Sequence, residues 1–129
     1  MTVTVDDSTG SAQAITTDVT NLTITLPSGV QDVTAVGSSG MERLLLIADC
    51  AVTLNGVFDD GTNLAHAVFK NYRTLAGSEV GRTSSIVHSG QTFADTLLYE
   101  NYDLTRAADG SLMWTTTGRC TDGGVPAWS

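Results

Sequence analysis

The sequence predicts a mainly β domain carrying one helix, and three observations predict it. Threonine occurs 20 times and alternates with aliphatic residues in VTV (3–5), LTITL (22–26) and AVTL (51–54), and β-branched residues at period two suit a strand with one face buried. One segment changes period: in NLAHAVFKNYRTLAG, Ala65, Val68, Phe69 and Tyr72 fall at i, i+3, i+4 and i+7, a single helical stripe. A length of 129 residues suffices for one core and is short for two domains of ordinary size, so residues 1–129 are read as one unit.

Taken in order, Leu22, Ile24 and Leu26 point one way and Thr23 and Thr25 the other over a strand at 21–26, which Pro27 ends. Residues 27–43, PSGVQDVTAVGSSGMER, hold that proline and three glycines with weak periodicity. They predict a long loop with one short strand around Val33 to Val36, and a loop of that length in so small a domain is usually functional or partner-bound. The most apolar segment follows. In LLLIADCAVTLNG (44–56), Leu44, Leu46, Ala48, Cys50, Val52 and Leu54 share one parity, which predicts a long central strand with that face inward. Its other face starts apolar at Leu45 and Ile47 and turns polar at Asp49, Thr53 and Asn55. The first half is therefore expected to be covered on both sides, by the domain or by a neighbour.

NGVFDDGTN then separates strand from helix. The helix is predicted over about 62–76, with Thr62 as N-cap, Asp59 and Asp60 near its positive end, Lys70 and Arg73 near its negative end, and Gly77 as its stop. An edge-like strand is predicted at 79–90 and a longer one at 92–106, with Leu98, Tyr102 and Leu104 on one face and Tyr99, Asn101 and Asp103 on the other. AADG (107–110) turns the chain into SLMWTTTG (111–118), the strongest hairpin signal in the sequence. Residues 119–129 are read as an irregular arm whose Trp128 is expected to dock.

No template for chemistry is present. Fourteen acidic against six basic residues give a formal charge of −8, scattered rather than in runs, and such a surface repels phosphate. His66 and His88 lack a nucleophile motif beside them, so each reads as a packed or surface histidine. Clustered metal-ligand spacings and a phosphate loop are missing, and pairs such as Asp6 with Asp7 or Glu100 with Asp103 arise by chance in an acidic chain. Cys50 and Cys120 lie 70 positions apart and read as two ordinary thiols, a disulfide being the alternative. The longest apolar run, LLLIA, is too short to span a membrane, and MTVTVDDSTG lacks a signal-peptide pattern, so synthesis in a cytoplasm is expected. The reading is of a non-enzyme without a cofactor. Tyr99, Tyr102, Trp114 and Trp128 could stack on sugars, but Tyr99 and Tyr102 differ in parity and make no common platform.

Three stretches, DVTNLTITLPSGVQDVT, MERLLLIADCAVTLNGVFDDGTNLAHAVF and LLYENYDLTRAADGSLMWTTTG, together resemble the tail tube proteins (major tail proteins) of long-tailed bacteriophages. The likeness is one of order: a strand, a long loop, a strand ending in TLNG before an Asp-rich turn, one helix, and a hairpin whose second strand reads DGSLMW. The resemblance implies a β-sandwich or partly closed barrel with one flanking helix and extended terminal arms. Six copies would form a ring, and rings would stack into a hollow tube through which the genome passes. It implies a place in the virion tail, the chain itself as main partner, and the tape measure, tail terminator and baseplate proteins as further partners. DNA would pass without sequence-specific binding.

On that resemblance Pro27, Gly29, Gln31, Asp32, Met41, Glu42 and Arg43 are inter-ring loop candidates, and Trp128 is the arm-docking candidate. Asp49, Asp95, Glu100 and Asp103 are candidates to face the lumen, with solvation of the outer surface the alternative for each. A ring would carry a formal charge of 6 × (−8) = −48, and an acidic wall lets DNA slide where a basic one would hold it. A capsid decoration or head-to-tail joining protein is the structural alternative, and a glycan-binding module is the alternative of another class.

Overall fold

The computed structural model describes residues 1–77, 80–121 and 125–129. The elements are β1 (Thr2–Asp6), β2 (Ala12–Ala14), β3 (Val19–Thr25), β4 (Ser28–Asp32), β5 (Arg43–Ala48), β6 (Ala51–Val57), α1 (Ala65–Phe69), β7 (Arg82–His88), β8 (Gln91–Tyr99), β9 (Asp103–Arg106) and β10 (Leu112–Cys120). Eight strands form one antiparallel sheet in the order β2-β1-β7-β8-β10-β6-β3, with β9 also paired to β10. β8 meets β10 only at its far end, Gly118 to Cys120 against Tyr99 to Leu97, while β9 takes the Leu112–Thr115 half. The sheet thus has two parts, β2-β1-β7-β8 and β9-β10-β6-β3. Both supply the one core, from Val3, Val5, Ile86, Phe93 and Leu97 on one side and Val19, Val52, Leu54 and Trp114 on the other.

Strict alternation makes this possible. Along β6 and β10 every second residue is buried, so the apolar parity turns inward and Thr53, Asn55, Thr115 and Thr117 turn outward. Helix α1 closes the core: Val68 and Phe69 are fully buried, and the Phe69 ring lies 4.9 Å from Tyr99 and 5.6 Å from Trp114. The mainly β class with one helix, the strand in 21–26 and the hairpin through residues 107–110 are as the sequence predicts. In that turn the Gly110 amide donates to the Ala107 carbonyl at 3.0 Å, and Gly110 has φ +93°.

Several expectations are corrected. Residues 27–43 are no loose loop: Ser28–Asp32 pairs with Arg43–Ala48 as a separate two-stranded ribbon, and Val33 to Val36 lies outside any strand, in its connection. The strand predicted over 44–56 is two strands with a break at Asp49–Cys50, and among the described residues its first half is left largely exposed on both faces. The helix spans only Ala65–Phe69; its N-cap is Leu64, with no side-chain bond from Thr62. The predicted 92–106 strand breaks at 100–102, which sets its halves out of phase: buried Tyr99 stands opposite Gly118 on the inward parity of β10, while exposed Asp103 stands opposite outward Thr115. At the N terminus the chain is woven into the sheet, β1 pairing with both β2 and β7. The predicted start of a strand at Glu79 and the middle of the 119–129 arm fall outside the described residues.

Candidate assembly surfaces

The outward face of β9-β10-β6-β3 is ordered into rows by the register. Thr117 stands opposite Thr53 and Thr53 opposite Thr23; Asp103 stands opposite Thr115, Thr115 opposite Asn55, and Asn55 opposite Asn21. Within the second row the Thr115 hydroxyl donates to Asn55 Oδ1. This face is therefore short, polar and mostly uncharged, a consequence of Thr and Asn at every second position. Among the described residues, the far edges of β9 and β3 carry no paired strand, which leaves two rows of backbone groups open for pairing.

The carboxylates proposed for a lumen are spread out. Asp103 is exposed and on that face, accepting a bond from Asn101 Nδ2 at 2.5 Å. Glu100 stands at its border and is paired with Arg119 at 3.0 Å. Asp49 is exposed at the break between β5 and β6, its Oδ1 accepting the Cys50 amide at 2.7 Å. Asp95 shares the parity of buried Phe93 and Leu97, and its Oδ2 lies 3.1 Å from Cys120 Sγ. The four are not one cluster.

The β4–β5 ribbon is the second surface. Leu44 and Leu46 are 54% and 47% exposed and Leu45 and Ile47 72% and 91%, so both faces of β5 are apolar and largely exposed, which makes the ribbon a candidate contact surface. Pro27 precedes β4, and its carbonyl accepts the Asp49 amide at 3.0 Å, closing the root of the ribbon. Gly29 sits where a Cβ would meet Leu46 at 3.1 Å, and Gln31 and Asp32 pair with Leu44 and Arg43. In the connecting tip, Thr34 Oγ1 receives the Glu42 amide at 2.8 Å and Asp32 receives the Thr34 amide at 2.9 Å, while Met41 stays exposed. The Thr34 hydroxyl and amide hold the Asp32 carboxyl below its ordinary range.

The third surface is the C-terminal segment. Trp128 forms a bridge with Phe93, its ring 5.6 Å away, and Ser129 exchanges two 2.8 Å backbone bonds with Thr92. Trp128 thus sits on its own chain, beside a shallow cleft shared with His88, Ser89 and Gln91.

Buried polar groups elsewhere are structural. The Arg82 guanidinium donates to the carbonyls of Val68, Asn71 (2.6 Å), Thr74 (3.1 Å) and Asp6 (3.4 Å), gathering the chain that follows α1, and burial lowers its pKa. Burial also pushes the Tyr99 phenol up to about 12, against the Ser84 bond at 2.8 Å. Tyr102 is likewise raised to about 12, by burial first and then by the Asp18 charge, and it meets His66 Nδ1 at 3.1 Å. These groups pack and tie elements together. Cys50 and Cys120, read as thiols from the sequence, are joined in a disulfide, which distance along the chain could not foretell. Among the described residues no helix is long and apolar enough to cross a membrane.

No protein-family model and no curated protein matches the chain. Solved structures do. A chain in the tail of an empty GTA particle, obtained by helical refinement with C6 symmetry, matches with a TM-score of 0.72 and 17% identity, over 100% of this chain and 93% of that one. A chain in the virion of a native gene transfer agent (GTA) particle matches with a TM-score of 0.70 and 14% identity, over 98% of this chain and 95% of that one. At these identities the likeness is one of architecture: the protein has, over its whole length, the fold of a chain from the tail of a gene transfer agent particle.

Proposed function

We propose that the protein is a tail tube subunit, which assembles into hexameric rings that stack into a hollow conduit for DNA. The observation that carries this reading is the whole-length fold likeness to a chain of a C6-symmetric tail. Two features of the chain support it. Among the described residues the β9-β10-β6-β3 layer has an open edge on each side, so head-to-tail pairing of β3 on the β9 of the next copy repeats without a leftover edge once the ring closes. Six four-stranded layers make 24 strands, and at ~4.8 Å per strand the wall has a perimeter of ~115 Å and a diameter of ~37 Å before strand tilt widens it. That bore admits duplex DNA.

The Thr and Asn rows then line the lumen. Their short hydroxyl and amide groups offer DNA no cation to release its counterions against, the Arg119 guanidinium at the border of the face is paired with Glu100, and Asp103 with the chain's overall −8 charge repels the phosphates. The β4–β5 ribbon reaches the next ring, where its two apolar faces are covered by neighbouring copies. The tape measure, tail terminator and baseplate proteins are the partners this role requires at the tube's core and ends.

Electron microscopy of the purified protein at high concentration tests the reading. Hollow filaments with sixfold rings are the expected result. Monodisperse particles at every concentration, or discrete trimers, would sink it; a monomer retained on immobilised glycan would point to a binding module.

A further inference from the structure

Cys50 and Cys120 are bonded with their Cα atoms 5.5 Å apart. Their numbers extend the β6–β10 register by one step beyond Arg119 opposite Ala51, so the bond closes the ladder where backbone pairing stops. Cys50 stands at the root of the β4–β5 ribbon and Cys120 at the start of the C-terminal segment. Cys50 follows Asp49, at the break from which the β4–β5 ribbon leaves. Cys120 ends β10, beyond which the Thr121 amide donates to the Thr96 carbonyl at 3.3 Å and Trp128 rejoins the same strand at Phe93. Cys50 is fully buried and Cys120 half-buried, so a reductant enters from the Cys120 side. There Asp95 Oδ2 lies 3.1 Å from Cys120 Sγ, and the other oxygen of that carboxylate is held by the Thr96 amide at 2.7 Å.

We propose that the Cys50–Cys120 bond is a redox latch that fixes the root of the ribbon to the root of the C-terminal segment, with Asp95 as a positioning residue that slows its opening and closing. In opening, a thiolate of a dithiol attacks Cys120 Sγ, the Cys50–Cys120 bond breaks, and the Cys50 sulfur leaves as a thiolate that takes up a proton. The second thiol of the reductant then displaces Cys120, so two electrons and two protons pass to the protein and the reductant departs as its disulfide. The Asp95 carboxylate repels the incoming thiolate. In the open state it accepts the Cys120 S–H and holds the sulfur as a thiol, the form that does not attack. The device belongs to the single chain and goes beyond the tube reading without requiring it.

Hydrogen exchange on the intact chain, oxidised and after reduction by dithiothreitol, tests the latch, with thiols counted by alkylation and mass. Reduction is expected to raise exchange about tenfold or more at 50–52, 96–98 and 118–121 while leaving the β1–β7 pairing unchanged, and re-oxidation should restore protection. Asp95→Asn should speed reduction at least about threefold, and Asp95→Glu should keep the slow rate. Two free thiols in protein kept under an oxidant, or unchanged exchange after confirmed reduction, would overturn the latch. An Asp95→Asn rate equal to the parent's would overturn the role of Asp95.

Discussion

At the scale of single residues, Gly56 and Asp18 show how little room the core leaves. A Cβ on Gly56 would lie 1.7 Å from the Asp18 carbonyl oxygen and 2.9 Å from Trp114 Cε2, and both Asp18 and Trp114 are buried, with little room to give way. Gly56→Ala is expected to cost more than about 3 kcal/mol or to prevent folding. Gly40→Ala, where nothing lies within 4 Å, should change stability by no more than about 0.5 kcal/mol. Urea denaturation of both variants checks the contrast. Asp18 is 5% exposed, and its carboxylate accepts the Ala65 amide at 2.8 Å from 47 positions away. It therefore satisfies the first amide of α1 in place of Thr62, which sequence rules select because they look only next to the helix. Asp18→Ala should cost about 1–3 kcal/mol through the orphaned amide, and Thr62→Ala about 0.5 kcal/mol at most, as thermal melts would report.

At the scale of elements, the β1–β2 hairpin is held by Asp7. Its carboxylate accepts the Thr9 hydroxyl at 2.6 Å, the Thr9 and Ser11 amides at 2.8 and 3.0 Å, and Gln13 Nε2 at 3.0 Å. The Thr9 hydroxyl, followed by those amides and Gln13, depresses its pKa well below the ordinary 3.8. A depressed carboxyl contributes stability that is present above the unfolded pKa and lost as pH falls through the folded one. The melting temperature of the parent should fall as pH drops below about 4, and Asp7→Asn should start lower at neutral pH and flatten that acid limb. The disulfide acts at the same scale. It closes a loop with a sequence separation of 70, for which chain entropy gives an upper figure of about 4 kcal/mol. Denaturation with and without reductant measures how much of it this chain realises.

At the scale of the whole molecule, the surfaces matter more than the core. Among the described residues the outer edges of β9 and β3 carry no paired strand and β5 is largely exposed on both faces, features that suit pairing with other chains. Because Leu45 and Ile47 are 72% and 91% exposed, Leu45→Lys with Ile47→Lys should leave the melting temperature of the monomer within a few degrees and abolish filaments. Filaments that persist in this double variant would show that the ribbon does not mediate stacking. Deleting residues 33–41, the tip of the ribbon, should likewise leave a folded chain that no longer elongates.

The sequence by itself determined whatever depends on near neighbours. Period-two alternation of Thr with Val, Leu and Ile placed β3 and β6 and the inward face of β6, the Ala65-Val68-Phe69-Tyr72 stripe located the helix, and Ala107–Gly110 located the last hairpin. It also showed that β5 is apolar on both faces. Tertiary structure alone decided the rest, because those features depend on residues far apart in the chain. The parity of 44–54 runs unbroken through Asp49 and Cys50, so no local pattern marks where one strand becomes two. Register across β6 and β10 brought Cys50 to Cys120, and the packing of α1 against the start of β3 brought the Ala65 amide to Asp18. Periodicity fixes which way a side chain faces; only long-range pairing fixes what it meets.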